Sequence, residues 1–194
     1  HQVRNYYSGF SANKFKQPAE SGPAFSLVIE DDISLLDEEL AGMPAQGYRV
    51  DEFGDKIPAR KWDNVTTTLA DLDTHDLHYV KVPENHIVID FDLKGEDGEK
   101  NLEQNLEAAS VWPPTYAELS QGGGGIHLHY NYEGDVSELS SVYSDGIEIK
   151  TLLGNSSLRR RLTKCNGIPV ANLNGGLPLK EKKMLDQRTM SSEK

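Results

Sequence analysis

The chain has 194 residues, 31 of them acidic and 20 basic, for a formal charge of −11, with 37% apolar residues and one cysteine. This length and composition fit one globular unit that can bury a core, and they argue against wholesale disorder. The lone Cys165 excludes an intramolecular disulfide and a Cys-rich zinc knuckle. No run approaches the roughly 18 apolar residues that a membrane span needs, and the opening HQVRNYYSGF has no apolar signal core. The expectation is a cytoplasmic protein, and His in place of Met at position 1 fits a piece excised from a longer chain.

In chain order, FSLVIEDDISLLDEEL at 25–40 opens as a short strand and passes into an acidic helix with apolar residues at 33, 35, 36 and 40. A turn-rich stretch runs from Gly42 to Gly54. Thr66, Thr67 and Thr68 stand as N-caps before Leu69, Leu72 and Leu77, predicting a short helix within 65–77. HIVIDFDL at 86–93 carries β-branched and apolar residues that suit a central strand, ended by Gly95 and Gly98. EKNLEQNLEAAS at 99–110 reads as an amphipathic helix with Leu102, Leu106 and Ala109 on one face, stopped by Pro113 and Pro114. GGGG at 122–125 feeds the strictly alternating strand IHLHYNY at 126–132. An Asp145-Gly146 turn leads into a third strand, IEIKTLL. Residues 167–179 are turn-rich, and 181–194 read as a tail or the start of a linker. Strands in runs with helices between them predict an α+β class with a mixed or mainly antiparallel central sheet. The organisation expected is an N-terminal αβ lobe over 1–84 and a core over 85–180.

Charge is unevenly spread. Residues 1–145 carry 10 basic and 27 acidic side chains, residues 146–194 carry 10 and 4. Arg159, Arg160 and Arg161 in succession, with Lys164, make the last third a place where a polyanion can bind on an otherwise repelling chain. The plainer alternative is a solvated charged face.

Three strands carry paired polar residues at a spacing of two, which places each pair on one strand face. Asp90 and Asp92 form an oxygen-rich pair suited to Mg²⁺ or Mn²⁺. His127 and His129 follow a glycine loop whose amides can form an anion nest. Glu148 and Lys150 offer a further acid and an ammonium. Each pair alone has an ordinary structural reading: a strand-end acid pair, a surface or core histidine pair, a cross-strand ion pair. Three polar pairs in apolar surroundings point to one shared site, because burying so many ionisable groups without a partner is costly. Trp62, Tyr130 and Tyr132 are candidates for stacking on bases, although such aromatics more often serve as core or rim residues.

The series VIDFDLK, SQGGGGIHLHY and GIEIKT followed by RRR resembles the catalytic domain of the archaeo-eukaryotic primase superfamily, in its phage and plasmid primase-polymerase branch. The resemblance covers about residues 85–180. It implies an RRM-like primase core and a DNA primase/polymerase that uses two Mg²⁺ or Mn²⁺ ions. Such an enzyme transfers nucleotides from dNTPs or NTPs to a 3′-hydroxyl on a single-stranded DNA template. By that likeness Asp90, Asp92 and Glu148 are the metal ligands, and Glu148 stands where many members have Asp. His127 contacts the phosphates of the incoming nucleotide, with Ser120, Gly123, Gly124 and Gly125 in the adjoining loop; His129, which has no counterpart in the family pattern, is a lesser candidate for nucleotide binding. Lys150, Arg159, Arg160 and Arg161 take triphosphate or template backbone. The resemblance also implies a phage- or plasmid-encoded protein in the host cytoplasm, with a C-terminal or separate helicase as partner.

Three rivals stand beside it. Asp145 with Glu148-x-Lys150 resembles the acid and E-x-K arrangement of metal-dependent nucleases, but leaves Asp90, Asp92 and the glycine-histidine strand without a role. A D-x-D glycosyltransferase leaves the same strand unexplained. A non-catalytic nucleic-acid-binding module needs none of the three acids.

Overall fold

Two strands with apolar residues at every second position build the centre of the molecule, whose computed structural model describes residues 27–181. In chain order the elements are α1 (Leu35–Glu39), β1 (Ala45–Gln46), β2 (Tyr48–Val50), β3 (Lys56–Pro58), β4 (His78–Val80) and β5 (His86–Phe91). They continue with α2 (Leu102–Ser110), β6 (Tyr116–Leu119), β7 (Ile126–Tyr132), β8 (Val142–Ser144), β9 (Ile147–Thr151), β10 (Leu158–Arg160) and β11 (Ala171–Leu173). The class is α+β, with mostly antiparallel sheets and few helices.

The main sheet has the order β11-β7-β5-β9-β8, with β6 also on β7. Every pairing is antiparallel except β11 on β7, which is parallel. β6 lies along residues 126–129 of β7 and β11 along 130–132, so the two short strands share one edge. Alternation then separates two faces. One face presents Ile87, Ile89, Phe91, Leu128, Tyr130, Ile147 and Ile149 to a core that includes Ala109 and Trp112 beneath α2. The other face carries the polar pairs. Its Val88 and Tyr116 join a second apolar cluster with Leu36, Leu40, Val80, Leu158 and Leu162.

That second cluster belongs to a smaller antiparallel sheet of order β1-β4-β10. The lobe expected over 1–84 therefore does not close on itself, because its sheet takes a third strand from residues 158–160. Cys165 binds it further: its backbone bridges to Asp31 on one side and Glu118 on the other. β2 and β3 form a separate hairpin.

Local departures from the expected elements have local causes. The strand expected at the start of 25–40 is absent over residues 27–30, and Asp31 after them makes an isolated bridge to Cys165; residues 25 and 26 lie outside the described part. The helix expected within 65–77 shrinks to a 3₁₀ turn at Leu69–Asp71, because Thr68 and Asp71 complete a reciprocal capping box within that turn and the chain leaves it extended at Leu72. α2 starts later than expected, at Leu102, where the Asn101 side chain caps Gln104. The tail expected over 181–194 falls outside the described residues apart from residue 181.

Candidate functional site

The register of the main sheet sets the site. Asp90 lies directly opposite His127 on one side and Glu148 on the other, and His127 lies opposite Glu118 on β6. One row across the polar face therefore reads Glu118, His127, Asp90, Glu148. The next row reads Tyr116, His129, Val88, Lys150. In the second row Tyr116, His129 and Val88 are buried and Lys150 is exposed; in the first Glu118 is buried, His127 and Asp90 are half-buried and Glu148 is exposed.

Beside the first row lies a cleft of about 260 Å³ between the two sheets. Asp90, His127, Lys150, Ser120 and Glu118 line it from the main sheet side. Arg159, Arg160 and Arg161 line it from β10 and the residue after it, and Lys100 enters from the turn that follows β5. Five cationic side chains thus face two carboxylates, on a chain whose overall charge is −11. A concave site with more cations than carboxylates favours an anion with several charges.

Asp90 is the acid at the centre. Its Oδ1 lies 3.3 Å from His127 Nε2 and its Oδ2 3.4 Å from the Lys150 ammonium. Partial burial pushes its carboxyl up, but hydrogen bonding to His127 and the charges of His127 and Lys150 outweigh this and leave it below the usual carboxylate range. Asp92 stands just past the end of β5, with its amide still donating to the Gly146 carbonyl at 2.8 Å. Its partners differ from those of Asp90: Lys100 at 3.6 Å and Lys94 at 3.9 Å. Asp92 and Glu148 do not line the cleft. Glu148 instead lines a shallower adjoining depression, which shares Lys150 with the cleft and adds the hydroxyls of Ser141, Thr151, Ser156 and Ser157.

Asp90, Asp92 and Glu148 offer carboxylate oxygens, the donors that a hard divalent cation takes, but Asp92 Oδ1 lies 3.6 Å from the Lys100 ammonium and Asp90 is paired with His127 and Lys150. A closed cage is another matter. Among the described residues no three His, Cys, Asp or Glu side chains come together closely enough to hold a metal ion. Lysine ammonium groups stand beside Asp90 and Asp92, supplying positive charge there.

The glycine loop is built differently from an anion nest. Gly123 donates its amide to the Ser120 carbonyl at 2.9 Å, and Gly125 donates to Ser120 Oγ at 2.8 Å, so both N–H groups serve the turn itself. Ser120 is buried and shapes the loop. Gly124 is held by its carbonyl, which accepts from Asn105 Nδ2 at 2.8 Å. Asn105, fully buried on α2, also accepts from the Leu93 amide at 2.8 Å, and so ties the helix to both the end of β5 and the loop.

His129 and Arg160 are the sequence candidates that the fold takes inside. His129 is 1% exposed and pairs through Nδ1 with His86 Nε2 at 2.9 Å. Burial holds it well below the ordinary imidazole range, as a neutral ring. Arg160, 4% exposed, lines the cleft and is engaged by Glu118 at 2.7 Å and Asp37 at 2.6 Å. Tyr130 is buried with its hydroxyl on the Pro113 carbonyl, Tyr132 is buried in the main core, and Trp62 is half-buried with the Lys81 ammonium 5.7 Å from its ring centre.

Sequence reasoning missed Lys100 and Glu118. The signal for Lys100 was the pair of lysines flanking the two glycines in LKGEDGEK, which bridge as Lys94 and Lys100 across a tight turn. Glu118 lies in YAEL, a strand too short to announce itself. Among the described residues no helix is long and apolar enough to cross a membrane. Comparison with models of known protein families finds no match, and comparison with curated proteins finds none.

Proposed function

We propose that the protein is a nucleotidyltransferase of the primase-polymerase kind, acting on a nucleoside triphosphate in the cleft and on a single-stranded DNA template. One observation carries this reading: a cationic cleft on an acidic chain, with Asp90, His127 and Lys150 on one wall and Arg159 and Arg161 on the other. A triphosphate is the ligand whose charge and length match that set, and arginine forks suit phosphate oxygens. The motif resemblance at VIDFDLK, GGGGIHLHY and GIEIKT supports the same activity.

In this reading Lys100, Lys150, Arg159 and Arg161 hold and orient the phosphates. His127 hydrogen-bonds a phosphate oxygen and Asp90 keeps its ring in place. Fixing the reacting groups and offsetting charge that develops on the leaving group account for most of the rate. The resemblance assigns Mg²⁺ or Mn²⁺ to Asp90, Asp92 and Glu148, but among the described residues these acids do not form a cage, so no step is routed through a metal ion and the reading rests on the cationic side chains. The adjoining depression, with its hydroxyls and Lys150, suits the backbone of a nucleic-acid strand.

The test is incorporation of labelled dNTPs or NTPs on a single-stranded template with Mg²⁺ or Mn²⁺, with and without primer. Template-directed products are expected from the wild type, reduced about 100-fold or more by Asp90→Asn. Folded protein that binds DNA without incorporating nucleotides would overturn the catalytic reading in favour of a binding module. Shortened template would replace it with a nuclease.

A further inference from the structure

Three arginines in a row, the first two on β10, pose a register problem. Side chains alternate between faces, so a slip of one residue exchanges which arginines point inward. In β10 the observed pairing with β4 sets Arg160 opposite His78 and Arg159 opposite Tyr79, with Arg160 buried and Arg159 exposed. The inward position is highly specified. Arg160 Nε donates to Glu118 Oε2 at 2.8 Å, and Nη2 lies 2.7 Å from the same oxygen and 2.6 Å from Asp37 Oδ1. Nη1 lies 3.2 Å from His78 Nε2. Glu118 in turn accepts from the Tyr116 hydroxyl, which is 2.6 Å from Ser34 Oγ. Elements α1, β4, β6 and β10 therefore meet at one guanidinium.

Such a buried pair gains little net stability, because desolvating both charges offsets their attraction; its best-attested use is to specify register. We infer that the three arginines divide the work between them. Arg160, latched by Glu118 and Asp37, is a positioning residue that fixes the strand register, and Arg159 and Arg161 are the ones that bind the anion. This rests on the reading of the cleft as a polyphosphate site. Two further observations agree with the division. Glu118 and Asp37 already satisfy the charge of Arg160, whereas Arg161 Nε is buried at the cleft without a hydrogen-bond partner. Glu118 also stands next to His127 in the ladder, so the latch joins the arginine wall to the Asp90–His127 wall.

The test is calorimetric titration of the 194-residue chain with inorganic tripolyphosphate, with the thermal midpoint as a control for folding. Arg159→Ala and Arg161→Ala are each expected to weaken binding about tenfold at an unchanged midpoint. The paired replacement Glu118→Leu with Arg160→Leu removes the two fully buried charges together and leaves Asp37, which is 29% exposed and accepts from the Thr74 hydroxyl, to solvent. It is therefore expected to fold, yet to bind about tenfold more weakly because the register is no longer specified. Arg160→Lys keeps the ion pair without the fork and is expected to recover part of that loss. The division is overturned if the paired variant binds as the wild type does, if Arg160→Lys binds no better than the pair, or if Arg159→Ala and Arg161→Ala leave affinity unchanged. No binding by the wild type would instead overturn the polyphosphate reading of the cleft, and the division with it.

Discussion

Histidine has two opposite roles on the same sheet face, set by burial. His127, half-buried, meets a carboxylate and faces a cleft. His129, two residues on and buried, meets His86 and no acid. Burial lowers His86 to about 4 and His129 well below its ordinary range, and burial also lowers His78. In the unfolded chain these rings titrate near 6.5. Between that value and the folded one the unfolded state binds more protons, so stability falls as pH drops. The expected outcome is a denaturant midpoint that declines from pH 7 to pH 5, as the unfolded rings take up protons that the buried His86–His129 pair does not. Urea titrations at pH 7, 6 and 5 check this, and His86→Gln should flatten the trend. An unchanged slope in that variant would remove the pair as its cause.

The four glycines of the loop show how an element differs from the sum of its residues. As a sequence they suggest flexibility or phosphate binding; in the fold they solve separate problems. Gly123 has φ +84°, which other residues adopt only with strain, and a side chain on Gly125 would begin 2.9 Å from the Phe91 carbonyl oxygen and 3.0 Å from Ser120 Oγ. Gly122 has nothing within 4 Å. Gly125→Ala is therefore expected to cost about 1–3 kcal/mol. Gly122→Ala should stay within about 0.5 kcal/mol. Denaturant midpoints of the two variants decide, and equal costs would contradict the tight packing of the loop against β5. The long alternating strands and α2 were legible because their own periodicity specifies them. Strands β1, β4 and β6 were not, since segments of two to four residues carry too little pattern and gain their stability from partners distant in the chain.

At the scale of the molecule, the net charge is misleading and its placement decides. Acidic residues dominate the sequence up to 145, while the cleft collects cations from residues 100, 150 and 159–161. Binding of a single-stranded oligonucleotide should weaken steeply with salt, because each phosphate contact releases a counterion. Lys150→Ala and Arg159→Ala are each expected to reduce the slope of log affinity against log salt by about 0.7 to 1. Equilibrium titrations at a series of salt concentrations measure it. Slopes that match the wild type would place the nucleic acid elsewhere on the surface.

The order of amino acids was enough to specify the three central strands, the amphipathic helix, the candidates Asp90, His127 and Glu148, and the basic run, because strand alternation and local turn chemistry are encoded in neighbouring residues. Which of those groups face a common space was settled by long-range pairing. The smaller sheet borrows β10 from far along the chain, turns Arg160 inward onto Glu118 and brings the arginines to the cleft that Lys100 also lines. Those outcomes depend on which strand pairs with which over separations such as 42 residues between Glu118 and Arg160. No local pattern in the chain specifies contacts of that range.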